Sequence, residues 1–546
     1  MSNFDLPLIS PDARPDFTDA KSCADWLHSL PLINVAPTHG RLLGELEELN
    51  CFDMPAAERL KILELMREPI VFLQSEHARK LAHRTVPLAR PEREILVNIN
   101  ALWTALGHGY LRCLQALSGV ERALLAGSGQ LALVAQRALW CTARKMAEHY
   151  KSYQHPTDDD WALLHRIYSM AEERGVANDP VDHPAHKSGQ KSSCMDTFAQ
   201  ALLLDIANPN EQTSRQLAVV SRWLERLGAK ARIVTSPAAP ASGAGEPQVR
   251  TIGVDLNGHA GASRLEKPTA AAPPTLRYLD VTELGRSLRK RLSALKAGET
   301  PASLGLGEDV PVQFAENQLT LLHRLWCEDR LPRSPSRKSV SATGWLASGM
   351  GALHYYLSGL PFKQPGEAKE LTKAQREEIA TFGRMATRQD DEYAKLQGFT
   401  LESWHILDES IAGFRMQRES GPGRFLHAQL VGLRPADAKT FMLGTVRWLA
   451  VDEDYTLEMG VHVIPGAPQC IAIRSSGLNA MAEKYIPALM LPEVAALHAP
   501  ASLLLPVGWY RPKRAIEVYI ERPQAMLLTG VVERGSDFER VTYTPV

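Results

Sequence analysis

Along roughly the first 230 positions, apolar residues recur three and four places apart, the period of an amphipathic helix. The segments Leu60–Leu73, Glu92–Leu117, Gln130–Tyr150, Asp159–Glu173, Met195–Ile206 and Gln212–Leu227 all carry it. In Leu133, Val134, Leu139, Trp140, Ala143 and Met146 the apolar stripe is broad, which predicts a helix buried between neighbours. Asp158 and Asn210 precede two of these runs and suit N-caps. Strand alternation is nearly absent here, so the pattern predicts an antiparallel helical array over residues 1–234.

The pattern then breaks. Ser236-Pro-Ala-Ala-Pro-Ala-Ser-Gly-Ala-Gly-Glu-Pro247 has the composition of a flexible linker, assigned to 235–248, and Pro268-Thr-Ala-Ala-Ala-Pro-Pro-Thr275 comes close behind it. Strand-like pieces at Arg250–Leu256, Leu276–Val281 and Ser339–Leu346 alternate with helical ones at Glu283–Lys296 and Ala315–Asp329. They predict a mixed α/β middle region over 249–370, expected to be a β domain that packs on a C-terminal barrel. Leu371–Thr387 reads as helical. After it come short, turn-punctuated strands at Trp404–Leu407, Gly413–Gln417, His427–Leu433, Phe441–Leu449, Leu457–Ile464 and Cys470–Arg474, the signature of a small antiparallel barrel at 371–480. Ala501–Leu505, Ala515–Ile520, Ala525–Val532 and Phe538–Tyr543 predict a β extension over 481–546. The fold class expected is multidomain α+β: a helical N-terminal array, a mixed middle, and a C-terminal six-stranded antiparallel β-barrel with a β extension.

Composition narrows the function. Of 546 residues, 45% are hydrophobic and 23% charged, enough for buried cores. The net charge of −1 lacks the basic excess of a nucleic-acid polymer binder, so any nucleotide contact must be local. Cys23, Cys51, Cys113, Cys141, Cys194, Cys327 and Cys470 are scattered, odd in number and without a CxxC, which suits a reducing compartment better than a disulfide framework. The N-terminus lacks a secretory pattern, and no run of about 18 apolar residues occurs. A cytoplasmic protein without a membrane span is expected.

Two patterns carry chemistry. Arg384-Met-Ala-Thr-Arg388 is an RxxxR, and Asp408-Glu-Ser410-Ile-Ala-Gly413 is a DxSxxG. RxxxR alone is common: Arg222-Trp-Leu-Glu-Arg226 and Arg333-Ser-Pro-Ser-Arg337 match it too, the first being an ordinary helix-face pair. The segment at 384–388 is singled out because the DxSxxG comes soon after it. A guanidinium grips phosphate through two parallel hydrogen bonds and stacks on a purine. A carboxylate accepts from the adjacent N1–H and N2–H donors of guanine, a hydroxyl satisfies a second polar edge, and glycine admits a flat base or a tight turn. Arg384, Arg388, Asp408, Ser410 and Gly413 therefore describe a pocket for a guanine nucleotide with phosphates.

This pair of motifs resembles the signature of PilZ domains, β-barrel receptors for cyclic di-GMP. Gln429-Leu-Val-Gly432, Leu443-Gly-Thr-Val-Arg-Trp-Leu449 and Met459-Gly-Val-His-Val-Ile464 extend the likeness over roughly 373–475. The layout, a long helical front before the barrel, resembles cyclic di-GMP-binding proteins of pseudomonads and their relatives, some linked to type IV pili and surface attachment. The resemblance implies that Arg384 and Arg388 clamp phosphates and stack on guanines, that Asp408 and Ser410 read a guanine edge, and that Gly413 shapes the turn. It implies a bacterial signalling effector in surface attachment or motility whose helical domain meets a protein partner, with ligand binding at the arginine segment shifting the front domains. The run Gln-Asp-Asp-Glu-Tyr after Arg388 departs from the pattern; its carboxylates oppose an anionic ligand unless they turn away or pair with Arg415 and Arg418. Arg447 and Trp448 could line the pocket.

Other motifs read as structural. Asp182-His183-Pro-Ala-His186, with His155 and His165 nearby, lacks a metal-binding frame, and Gly127-Ser-Gly129 is not a phosphate loop. No GxSxG and no Cys/His arrangement for nucleophilic catalysis occurs, so a binding protein without metal or cofactor is expected, with cyclic di-GMP as ligand. The alternative is a helical scaffold whose barrel binds nothing.

Overall fold

The computed structural model describes residues 4–82, 84–118, 129–185, 189–237, 251–265, 273–328, 337–366, 393–476 and 483–546. The chain divides into two units, Met1–Arg84 with Leu88–Pro332, and Thr85–Pro87 with Arg333–Val546.

In the first unit, helices run over Ala20–His28, Val35–Cys51, Ala56–Leu81, Arg90–Ser118, Gln130–Lys151, Asp158–Glu173, Cys194–Asp205 and Ser214–Leu227. Four of them start with reciprocal capping boxes: Asp19 with Ser22, Thr157 with Asp160, Ser193 with Asp196, and Thr213 with Gln216. The caps expected at Asp158 and Asn210 are displaced. Thr157 caps the first helix, and Asn210 lies in a single 3-10 turn before Thr213. A short hairpin joins β1 (Val181–Asp182) to β2 (Lys191–Ser192).

The expected middle region does not stand apart. Strands β3 (Arg232–Val234), β4 (Ile252–Asp255), β5 (Ser263–Arg264) and β6 (Leu276–Asp280) form one sheet in the order β3-β6-β4-β5. Because β3 pairs with β6, the two flanks of the Ser/Pro/Ala stretch belong to one sheet of one unit. Helices Thr282–Lys296 and Val312–Cys327 complete the unit, and one apolar core runs from Phe4 to Cys327. Trp326 Nε1 donates to Leu203 O at 2.9 Å and Trp223 Nε1 to Leu306 O at 2.7 Å, joining both halves of the sequence. The expectation of a β domain packing on the barrel is thus corrected: burial of Trp223, Trp326 and Leu319 ties residues 252–327 to the helical core. No helix of the described residues is long and apolar enough to cross a membrane.

The second unit contains two closed six-stranded antiparallel barrels. The first holds β7 (Lys338–Ser348), β8 (Leu401–Ser410), β9 (Gly413–Arg418), β10 (Leu430–Pro435), β11 (Met442–Val451) and β12 (Leu457–Val463), closed in the order β10-β11-β12-β9-β8-β7. The second holds β13 (Gln469–Ser475), β14 (Ile486–Leu491), β15 (Ser502–Pro506), β16 (Ala515–Tyr519), β17 (Pro523–Arg534) and β18 (Phe538–Pro545). Three boundaries move accordingly. Strand β7, assigned by sequence to the middle region, closes the first barrel. Strand β13, read as the last strand of that barrel, opens the second. The β extension is a closed barrel in its own right. Closure removes the exposed edges that separate strands would leave.

Helix Met350–Ser358 comes after β7, within the connection to β8. Thr85–Pro87 joins this unit through Val86, which exchanges backbone hydrogen bonds of 2.8 and 2.7 Å with Phe425. Between the barrels, Leu430, Leu443 and Ile464 share a core with Leu489, Leu504 and Phe538.

Candidate functional site

Strands β8 and β9 form a hairpin whose turn is Ile411–Ala412, with Ser410 paired to Gly413 and Asp408 to Arg415. Bulges between Ile406 and Asp408 in β8, and between Ser339 and Ala342 in β7, locally increase the twist of this end of the ladder. Ser410 Oγ donates to Gly413 O at 3.3 Å. Gly413 is required by space: a Cβ there would collide with the carbonyl oxygen of Val461 on β12. The DxSxxG is thus a hairpin tip held against a third strand, with Ile411 86% exposed at its apex.

Asp408 accepts a 2.8 Å hydrogen bond from Arg337 Nη1, and the two side chains are 16% and 40% exposed. Arg337 immediately precedes β7, and the β7–β8 register sets Ser339 opposite Asp408. Next on this face, Arg415 donates from Nε and Nη2 to Glu458 Oε2 at 3.1 and 2.8 Å. Gly460, opposite both Arg415 and Trp448, has no room for a Cβ because the Trp448 indole lies across it. The outer face of the first barrel therefore presents Arg337, Asp408, Ser410, Gly413, Arg415 and Trp448 on adjacent rungs. A charged fork, an acceptor carboxylate, a hydroxyl and an aromatic surface suit a planar base attached to phosphate.

Of the residues selected from sequence, Asp408, Ser410 and Gly413 come together; Arg384 and Arg388 lie outside the described residues. The acidic run 390–392 lies outside them too. Its suggested partners have other contacts: Arg415 meets Glu458, and the guanidinium of Arg418 meets Glu402, donates to Gly423 O at 2.7 Å and stacks on Trp404.

Sequence patterns pass over the arginine that meets Asp408. Arg337 ends the RxxxR at 333–337, set aside because no DxSxxG lies close behind it. The useful signal is its place directly before a strand. The β7–β8 connection separates the partners by 71 positions, and barrel closure restores their contact.

At 182–186 the described residues have contacts of their own. Asp182 pairs with Lys191 at 2.7 Å, and His183 Nδ1 accepts from Ala185 N at 3.2 Å. His186 lies outside the described residues. His165 Nδ1 faces Gly258 O at 2.9 Å. Among the described residues, no group of three or more His, Cys, Asp or Glu is placed to hold a metal.

Comparison with known proteins adds three findings. Residues 21–238 match the family model of the Cyclic-di-GMP receptor FimW, N-terminal domain. Residues 471–546 match that of the FimW C-terminal beta-barrel domain, which coincides with the second barrel. Over 97% of its length, and 92% of the relative's, the chain is 24% identical to the Cyclic-di-GMP receptor FimW of Pseudomonas aeruginosa. The likeness read from sequence, to cyclic di-GMP receptors of pseudomonads with a helical front, is what these matches show.

Proposed function

We propose that this chain is a cyclic di-GMP-binding effector, a binding protein rather than an enzyme, and that the ligand sits on the outer face of its first, PilZ-like barrel. The observation that carries the placement is the 2.8 Å pairing of Arg337 with Asp408 beside the Ser410–Gly413 turn. The relative named as a receptor for this ligand aligns along nearly the whole chain.

In this reading Asp408 and Ser410 take a guanine edge. Arg337 swings from the carboxylate to a phosphate or a purine face, as its exposure allows, and Arg384 and Arg388 supply further clamps. The protein works in the cytoplasm, the helical unit carries the surface for a protein partner, and the output is surface attachment or motility.

Calorimetric titration with cyclic di-GMP, beside GTP and cyclic GMP, tests the site. Micromolar binding corresponds to about −8 kcal/mol. Loss of one charge-assisted contact in Arg337→Ala, Arg388→Ala or Asp408→Asn should remove about 1.5–3 kcal/mol. Selective binding weakened by Asp408→Asn and Arg337→Ala supports the site. Unchanged affinity in both moves it elsewhere, and no binding by folded wild type leaves the scaffold reading.

A further inference from the structure

A second polar cluster stands where the two barrels meet. Leu503 and Leu505 fill the interior of the second barrel, so Leu504, which lies in the core shared between barrels, points out of it. Arg540 stands opposite Leu504 in the β15–β18 ladder and so projects to the same side, toward the first barrel. It is only 6% exposed. Its Nε donates to Ser502 Oγ at 2.9 Å, and its buried Nη2 has no hydrogen-bond partner. Thr445 of the first barrel is fully buried, and its hydroxyl is equally unpartnered.

Charged groups of both barrels meet here, with Asp537 accepting from Leu430 N beside Thr445. Glu533 stands opposite Arg540 in the β17–β18 ladder and also lies 3.5 Å from Arg447 Nη2. Glu533 thus pairs with Arg447 and acts on Arg540 only through its charge across the ladder. His462, paired with both Gly413 and Thr445, has its pKa pushed down by desolvation and by Arg447 and drawn up by Glu533 and by the carbonyl of Ala412 in the Ser410–Gly413 turn. An enclosed guanidinium with an open N–H, beside a buried hydroxyl that is also open, is a standing demand for an acceptor.

We infer that Arg447, Arg540 and Thr445 form a phosphate subsite shared by the two barrels. It takes a phosphoryl group of the nucleotide whose base is read at Asp408–Gly413, and so rests on the proposed function above. The phosphate displaces Glu533 from Arg447 and gives the open N–H of Arg540 an acceptor, and His462 links the subsite to the turn. The second barrel is then part of the receptor site.

The test is calorimetric titration of the full chain with cyclic di-GMP. Arg447→Ala should weaken binding about three- to tenfold, and Glu533→Gln, which removes the competing carboxylate, should tighten it about threefold. Tightening is the informative sign, because a purely structural ion pair would leave affinity unchanged on its loss. Arg540→Lys, checked for an unchanged melting curve, should weaken binding as Arg447→Ala does. If Asp408→Asn abolishes binding while Arg447→Ala and Glu533→Gln leave it unchanged, the shared subsite is overturned and the first-barrel site stands. If folded wild type binds no cyclic di-GMP, both fall.

Discussion

In the helical unit Arg137 is 1% exposed and grips Glu64 through Nε and Nη2 at 2.9 and 3.2 Å. Its Nη1 reaches Gln136 and the carbonyl of Asp182, while Tyr110 donates to the same Glu64 at 2.7 Å. In the barrel unit Arg337 makes one contact with Asp408 at 40% exposure. Each is an arginine on a carboxylate, but the surroundings give them different work. Arg137 has its donors satisfied inside a core and positions the β1–β2 hairpin. Arg337 keeps donors in solvent and loses little by changing partner. A satisfied buried ion pair reads as structure, whereas the half-exposed one on the barrel face is where the ligand is proposed to bind.

The largest expected effect breaks the buried side of this comparison. Arg137→Ala takes from Glu64 its two-pronged partner, leaving it Tyr110 and Arg67 at 3.4 Å, and should cost about 3 kcal/mol in denaturant unfolding of the full chain. A loss below about 1 kcal/mol would show that Glu64 escapes to solvent and that the network is no more structural than a surface pair.

Acid should act on the two units in opposite senses through one group in each. His77 stacks on His39 at 4.6 Å with neither ring nitrogen partnered, and burial, with His39 and Lys80, pushes it down to about 4. The unfolded chain takes its proton near pH 6.5, so this stabilisation is present above that pH and is lost as pH falls toward 4. Asp537, whose Oδ1 accepts from Leu430 N between the barrels, is pushed up to about 6 by burial. Its contribution is present below pH 3.8 and is lost as pH rises through about 6. Asp537→Asn should therefore stabilise the protein by about 2 kcal/mol at about pH 8 and by little at about pH 4. His77→Leu should flatten the loss of melting temperature between about pH 6.5 and about pH 4. Thermal scans of both variants across that range check the signs.

The smallest stability effect sharpens the exposed side. Arg337→Ala should change unfolding free energy by at most about 1 kcal/mol. The same substitution should weaken cyclic di-GMP binding, so affinity and stability separate here. A parallel fall of both would make Arg337 structural, like Arg137.

Periodicity made the helices legible. Gln130–Lys151 and Asp158–Glu173 lie within a residue of their expected bounds, because an amphipathic stripe is local. The helices at Ala20–His28 and Val35–Cys51 escaped notice. Ile486–Leu491 escaped too, because its residues are apolar throughout and show no alternation. The turn Asp408–Gly413 was also legible, since its residue types and spacing are themselves the local geometry.

Arg337 was not legible as a partner, nor was Arg540. Their contacts are closed by ladders between segments distant in the chain, and no local pattern encodes which arginine a closed barrel brings to a given carboxylate. For the same reason sequence alone determined that a helical front precedes a β-rich end with a nucleotide-like motif. Tertiary structure decided that residues 252–327 join the helical core, that β7 closes the first barrel and β13 begins the second, and that Arg447 of the first barrel meets Glu533 of the second. Those outcomes depend on which apolar faces are buried together, a property of the folded chain as a whole.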